Sequence, residues 1–113
     1  MSTETLLAQA ARLELRLADQ LLQVADGLTG DDARRARELA AQTGAMAEIV
    51  VALTPAPEDA KMFEVLDAPT TAERLMEIYL EIGDRSRDET VVAAVQALAR
   101  QAIARLTLLR HFA

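Results

Sequence analysis

Apolar side chains in this sequence recur at steps of three and four residues, which is the spacing of one face of an α-helix. In the first quarter of the chain, the residues of this apolar stripe are Leu6, Ala10, Leu13, Leu17, Leu21, Val24 and Leu28. Similar stripes follow in three later segments. A chain with this pattern has to bury several helical faces against one another, which predicts an all-α fold.

The composition favours helices over β-strands. Hydrophobic residues make up 51% of the chain, but aromatic residues make up only 3%, whereas strands are enriched in β-branched and aromatic side chains. The chain has 113 residues, which is enough for one domain with one hydrophobic core. We therefore predict a single domain over residues 1–113.

Helix stop signals divide the first half of the chain. The first helix is expected to begin at Ser2 or Thr3 and to end at Leu28, where neighbouring glycines can adopt the left-handed conformation that closes a helix. The second helix is expected to end at about Leu53. Residues 54–57 contain two prolines, and proline interrupts a helix because it lacks an amide proton.

Two capping boxes predict where the last two long helices start. The sequences Thr70-x-x-Glu73 and Ser86-x-x-Glu89 each precede an apolar periodic segment, and their side chains can bond to the free amides of a first helical turn. A short helix is expected over residues 58–66. Because short connections join antiparallel neighbours, we predict an up-and-down four-helix bundle with an additional short helix between the second and third long helices.

Charge and cysteine content exclude several functions. The chain has no cysteine, which excludes disulfides, thiolate catalysis and cysteine-bound metal centres. Its net charge of -6 disfavours binding to a phosphate backbone, which depends on clustered Lys and Arg. The N-terminus lacks the pattern of a signal peptide, and no apolar run approaches about 18 residues. These features predict a cytoplasmic protein without nucleic-acid or membrane partners.

A second apolar stripe lies on the first helix, nearly opposite the first stripe. Its residues are Ala8, Ala11, Leu15, Ala18 and Leu22. A four-helix core needs only one face of each helix, so another surface should cover the second stripe. We therefore predict a non-enzymatic interaction or regulatory module that self-associates or binds a helical partner through the first helix.

Glu14 lies between the two stripes of the first helix, at about 80° from Leu6 around the helix axis. It is a candidate partner-binding residue, because a carboxylate at such a position could anchor an interface or a pocket. The simpler interpretation, which we favour, is that its long side chain reaches solvent at the edge of a groove. A buried carboxylate would instead need a partner or a raised pKa.

The alternative function is that of an all-α, metal-dependent nucleotide hydrolase. Glu73, Glu77 and Glu81 lie at steps of four on one helix, where carboxylates could face a divalent cation or an arginine of the last helix. The segment Glu81-Ile-Gly-Asp84 resembles half of the magnesium site of MazG-type nucleotide pyrophosphohydrolases. Met62 stands where the resemblance requires a third upstream acid, and a helix ending at Gly83 would interrupt the site.

A second enzymatic alternative rests on Arg105 and His111. Their spacing resembles the Arg-x(4 to 6)-His pattern of the all-α HEPN ribonucleases, which implies that the two side chains would handle the proton and the phosphate charge during RNA cleavage. The simpler interpretation is an exposed histidine that the C-terminal end of a helix favours.

A third possibility is a ligand pocket inside the bundle. Its lining would consist of Met46, Met62, Phe63, Met76 and Tyr79. Methionines at helical spacing are more often plain core residues. We therefore predict no catalytic residue, no metal ligand and no cofactor.

Overall fold

The computed structural model describes residues 2–54 and 67–112, and it confirms the predicted all-α four-helix bundle. The helices are α1 (Thr3–Asp26), α2 (Gly30–Leu53), α3 (Ala68–Arg85) and α4 (Glu89–Phe112). No β-strand occurs within these described ranges. The predicted short helix over residues 58–66 lies outside the described residues.

The four helices form a square in which each packs against two neighbours. α1 packs against α2 and α3, and α4 packs against α3 and α2, so that α1 and α4 face each other across the diagonal. The start of α1, the end of α2 and the turn between α3 and α4 line one groove at the same end of the bundle. α2 and α3 therefore run in the same direction, and every adjacent pair is antiparallel.

The hydrophobic core follows the first apolar stripe of α1 and its counterparts on the other helices. Leu17, Leu21, Leu75, Ile82 and Val95 have no exposed surface. Burying a side chain of this size stabilises a fold by roughly 1.5–3 kcal/mol. This stripe is therefore the main reason for the relative placement of the helices.

Aspartates, rather than the predicted hydroxyl residues, cap α3 and α4. Asp67 accepts a hydrogen bond from the Thr70 amide at 2.8 Å, and hydrogen bonding by the Thr70 hydroxyl and amide lowers the pKa of Asp67. Asp88 accepts the Thr90 amide at 2.9 Å at the start of α4. Both predicted capping boxes are wrong, because an aspartate lies closer to each helix start and bonds the free amides directly.

The glycines behave differently from the sequence prediction. Gly27 ends α1 with a right-handed φ of -87°, and the left-handed residue is Gly30, which has a φ of 61° at the start of α2. Gly83 lies inside α3, which continues to Arg85.

The helix α4 has the length and composition to cross a membrane, with an 18-residue window of mean hydropathy 1.3. It is the one such helix among residues 2–54 and 67–112. Core helices of helical bundles share this composition, and α4 directs Val95, Leu98 and Ala102 into the bundle. The property is therefore weak evidence for a membrane segment.

Candidate functional site

The second stripe of α1 is only partly on the surface. Ala8 and Ala11 are buried, and Ala18 is half-buried. Leu15 and Leu22 are 56% and 49% exposed. The chain itself therefore covers the first two alanines of the predicted partner-binding stripe, and an unburied surface remains only in the second half of the helix.

α1 and α2 each carry a row of alanines, and small side chains of this kind allow two helices to pack closely. Alanine recurs at steps of seven on α1 at positions 11, 18 and 25, and on α2 at positions 33, 40 and 47. All but Ala18 are buried, and α2 is the helix against which α1 packs most extensively. Small side chains let two helix axes approach, because the axial distance depends on the residues at the contact.

We call the remaining apolar surface of Leu15, Ala18 and Leu22 the α1 outer face. Arg12, Asp19 and Asp26 are exposed on the same side of the helix and border this face. Leu15 and Leu22 are seven residues apart, which is two helical turns, so both side chains point in nearly the same direction. The face therefore has an apolar centre and a charged border.

Glu14 does not belong to this surface. Its side chain has no exposed area, so the favoured expectation that it reaches solvent is wrong. The reason is its pairing with Arg105, whose guanidinium donates to both carboxylate oxygens, from Nη1 to Oε2 at 2.6 Å and from Nη2 to Oε1 at 3.0 Å. A bidentate pair of this kind is among the strongest hydrogen-bonding arrangements in proteins.

All four helices contribute to the polar group around this ion pair. We call it the interior cluster, and its members are Glu14 of α1, Thr43 and Met46 of α2, Tyr79 of α3 and Arg105 of α4. The Glu14–Arg105 pair crosses the diagonal of the square. The cluster thus connects α1 and α4, which do not otherwise pack on each other.

Tyr79 completes the coordination of the carboxylate. Its hydroxyl donates to Glu14 Oε1 at 2.5 Å. Burial raises the pKa of Tyr79 far above its ordinary value, and the negative charge of Glu14 raises it further. Tyr79 therefore stays protonated and acts as a fixed hydrogen-bond donor in the folded protein.

Thr43 and Met46 surround the other side of the guanidinium. Arg105 Nη1 lies 3.4 Å from Thr43 Oγ1 and 3.2 Å from Met46 Sδ, while the Thr43 hydroxyl donates to the Leu39 carbonyl at 2.8 Å. Arg105 Nε is buried and has no hydrogen-bond partner within the described parts of the chain. Both carboxylate oxygens of Glu14 therefore accept hydrogen bonds, whereas one nitrogen of the Arg105 guanidinium, Nε, donates none.

The interior cluster has the chemistry of a structural element. A general acid or base has to reach its substrate within hydrogen-bond distance, yet Glu14 and Arg105 are 0% and 2% exposed and bond to each other. Arg105 is therefore held away from any phosphate group, while His111 is exposed at the end of α4. This geometry gives no support to the ribonuclease-like pairing of these two residues.

The acidic side chains of α3 do not converge on a metal site. Glu73 and Glu77 are exposed, and Glu81 pairs with Arg85 of its own helix at 3.0 Å. Among residues 2–54 and 67–112, no group of three potential ligands is close enough to hold a metal ion. Arg105, which was a proposed partner for this row of acids, is bound to Glu14 instead.

The groove at the end of the bundle has a volume of about 480 Å³. Leu7, Leu53 and Val91 supply apolar surface, while Glu4 and Arg87 place opposite charges along its border. A single ligand charge would meet attraction and repulsion in the same groove. Its lining therefore selects no particular ligand chemistry.

Comparison with known proteins gives no assignment, since no family model, curated protein or solved structure matches this chain.

Sequence reasoning missed the interior cluster, although a signal for it exists. Arg105 follows Ala102 by three residues and Leu98 by seven, so it occupies a position in the apolar stripe of α4. An arginine at a core position requires a buried hydrogen-bond acceptor, because burying an unpaired charge greatly destabilises the folded state. Glu14 is the carboxylate beside an apolar stripe on α1, and the two anomalies could have been matched.

Proposed function

We propose that this protein is a non-enzymatic association module that binds a second helical surface through the α1 outer face. The observation that carries the proposal is the exposure of two leucines, Leu15 at 56% and Leu22 at 49%, on one side of a helix whose opposite side is fully buried. A partner that covered both leucines would remove their apolar surface from water, and each Å² removed stabilises the complex by about 25 cal/mol.

The interior of the bundle supports the same proposal. The buried acid and base of the interior cluster bind each other, Glu81 pairs with Arg85 of its own helix, and Asp67 and Asp88 are helix caps. The metal-dependent hydrolase alternative requires converging carboxylates, whereas Glu73 and Glu77 are exposed on α3 and Glu81 pairs with Arg85 of the same helix. Association is thus the activity that the surface favours, and we propose a cytoplasmic location for it.

The test compares matched glutamate substitutions. We expect the native chain to have the mass of a dimer in size-exclusion chromatography with light scattering, and the Leu15→Glu/Leu22→Glu variant to have the mass of one chain. Both substitutions are on exposed positions, so the free energy of unfolding of the separated chain should change by no more than about 0.5 kcal/mol at each site.

Ile103→Glu is the control for this experiment. Ile103 is 49% exposed, like Leu22, but it lies on α4, which faces α1 only across the diagonal of the bundle. The control should keep the mass of the native protein. A native chain that is monomeric at every concentration, with a double variant of equal stability, would refute the association proposal.

A further inference from the structure

Gly44 leaves an open notch on α2, the helix next to the α1 outer face. Apart from its chain neighbours and the backbone of its own helix, no atom of residues 2–54 or 67–112 lies within 4 Å of the position that a Cβ would take at Gly44. Glycine in a helix interior is less favourable than alanine, and Gly44 stands inside the 24 residues of α2. A side chain of another molecule that fills the notch would account for it.

The contacts of Arg105 show that Leu15 and Gly44 are at nearly the same level of the bundle. Arg105 Nη1 lies 2.6 Å from Glu14 of α1 and 3.4 Å from Thr43 of α2, so these two residues lie side by side and face the interior. Leu15 and Gly44 follow them by one residue each, on helices of opposite direction. The two are therefore offset by about 3 Å along the bundle.

Leu15 and Gly44 also face the same side of the α1–α2 pair. Met46 is displaced about 60° around α2 from Thr43 in one direction and contacts Arg105 of α4, whereas Gly44 is displaced about 100° in the opposite direction. Gly44 therefore lies on the side of α2 that adjoins α1. Because the two helices are antiparallel, the same rotation in α1 brings Leu15 to the side that adjoins α2.

Opposite charges border the leucine and the notch. Asp19 of α1 and Arg37 of α2 are exposed, and neither side chain is in an ion pair or hydrogen bond with the described parts of the chain. Asp19 is five residues after Glu14, and Arg37 is six residues before Thr43. Since the helices are antiparallel, the two charges differ in level by only about 1.5 Å.

A two-fold axis parallel to the helices makes this surface complementary to itself. Such an axis keeps each residue at its own level and lays α1 of each copy against α2 of the other. Leu15 then meets Gly44 of the second copy, and Asp19 meets Arg37 of the second copy. Helical side chains lean towards the start of their helix, which moves Leu15 closer to the notch. Each contact occurs twice.

The same arrangement covers Leu22 and avoids like charges. The aliphatic part of Arg37 can pack on Leu22, which is three residues after Asp19, while its guanidinium remains at the charged border. The acids of α2 at these levels are Asp31 and Glu38, which are turned away from Arg37 by about 120° and 100° around the helix. They therefore do not face Asp19 of the second copy.

We propose that the partner of the α1 outer face is a second copy of this chain, docked about a two-fold axis parallel to the helices, with Leu15 of each protomer in the Gly44 notch of the other. This inference rests on the association function proposed above. It adds the identity of the partner and the surface of α2 that receives the leucine.

Filling the notch tests this arrangement. Gly44→Leu should not lower the urea midpoint of the dissociated chain, since leucine favours a helix more than glycine does. It should raise the dissociation constant of the dimer at least about thirtyfold, because two contacts become overpacked. Light scattering over a series of concentrations measures the constant. Ala45→Leu is the matched control, exposed at the next position of α2, and should stay within about fivefold of the native value.

An exchange of side-chain size tests the contact itself. The Leu15→Ala/Gly44→Leu variant moves the large side chain from α1 to α2 at the same place in the interface. If the two residues touch across the interface, this variant should bind at least about tenfold more tightly than Gly44→Leu alone. A double variant weakened by the sum of the two single effects would overturn the arrangement.

The outcomes separate this inference from the proposed function. If Leu15→Glu/Leu22→Glu abolishes the dimer but Gly44→Leu leaves its dissociation constant unchanged, the docking of Leu15 on α2 is overturned while association through α1 stands. If the native chain is a strict monomer at every concentration, the proposed function itself fails.

Discussion

Replacing Arg105 with methionine should lower the free energy of unfolding by about 3–5 kcal/mol, because it leaves the Glu14 carboxylate buried without its counter-charge. Small domains are stable by only about 5–15 kcal/mol in total, so this loss would remove much of the native stability. Urea denaturation followed by circular dichroism measures it. Arg100→Met is the control, since Arg100 is exposed on the same helix and should change stability by no more than about 0.5 kcal/mol.

A combined substitution separates the loss of the ion pair from the loss of side-chain packing. Glu14→Leu together with Arg105→Met removes both charges, and adding Tyr79→Phe removes the hydroxyl that would otherwise lose its acceptor. Replacing a complete buried pair by apolar residues of similar volume is often neutral or stabilising. The triple variant should therefore recover most of the stability that Arg105→Met loses. An Arg105→Met variant within about 1 kcal/mol of the native protein would contradict a buried pair.

The helical architecture could be predicted from the sequence because it depends on local patterns. Steps of three and four residues predict which face of each helix is buried, and the pattern ended at Leu53 as the structure shows. The predicted up-and-down order does not extend to α2 and α3, which run in the same direction and do not pack on each other, because their relative direction depends on packing with the other two helices. The helix starts were misplaced because the sequence offers an aspartate and a hydroxyl residue within a few positions, and both residue types are good caps.

The candidate surface was predictable only in part. Helical periodicity correctly brings Leu15 and Leu22 to one side of α1, but it does not show that alanines beside them are buried. Ala8 and Ala11 are buried within the folded chain, and burial of this kind depends on how the other parts of the chain pack against α1. The spacing of apolar residues shows which side chains share a face of one helix. How much of that face is exposed depends on the packing of the whole bundle.

The sequence carries a signal for the two ends of the interior cluster, but it does not show that they meet. Glu14 and Arg105 are 91 residues apart in the chain, and the periodicity of each helix shows an unusual charge without showing its partner. Only the diagonal contact of α1 with α4 makes them partners. A buried polar pair of this kind can determine which helices face each other, since any other arrangement would leave two unpaired charges in an apolar core.

Tyr79 should make the protein sensitive to alkali. Its raised pKa means that the folded state keeps the phenolic proton while the unfolded state loses it near pH 10. The unfolded state then binds fewer protons, so stability is fully present below about pH 10 and falls by about 1.4 kcal/mol for each further pH unit. Urea denaturation at a series of pH values between 8 and about 11.5 measures this slope.

Ionisation of Tyr79 can also be followed by ultraviolet absorbance, because Tyr79 is the only tyrosine and the chain has no tryptophan. Tyrosinate absorbs in the near ultraviolet, so ionisation of Tyr79 and loss of helix can be followed in the same sample. Both should occur together, above pH 10, since the hydroxyl can ionise only after the contact with Glu14 opens. Tyr79→Phe should remove most of the alkaline slope while costing about 1–3 kcal/mol at neutral pH. Ionisation near pH 10 with the helices intact would place the hydroxyl in contact with solvent, which is incompatible with its position beside Glu14.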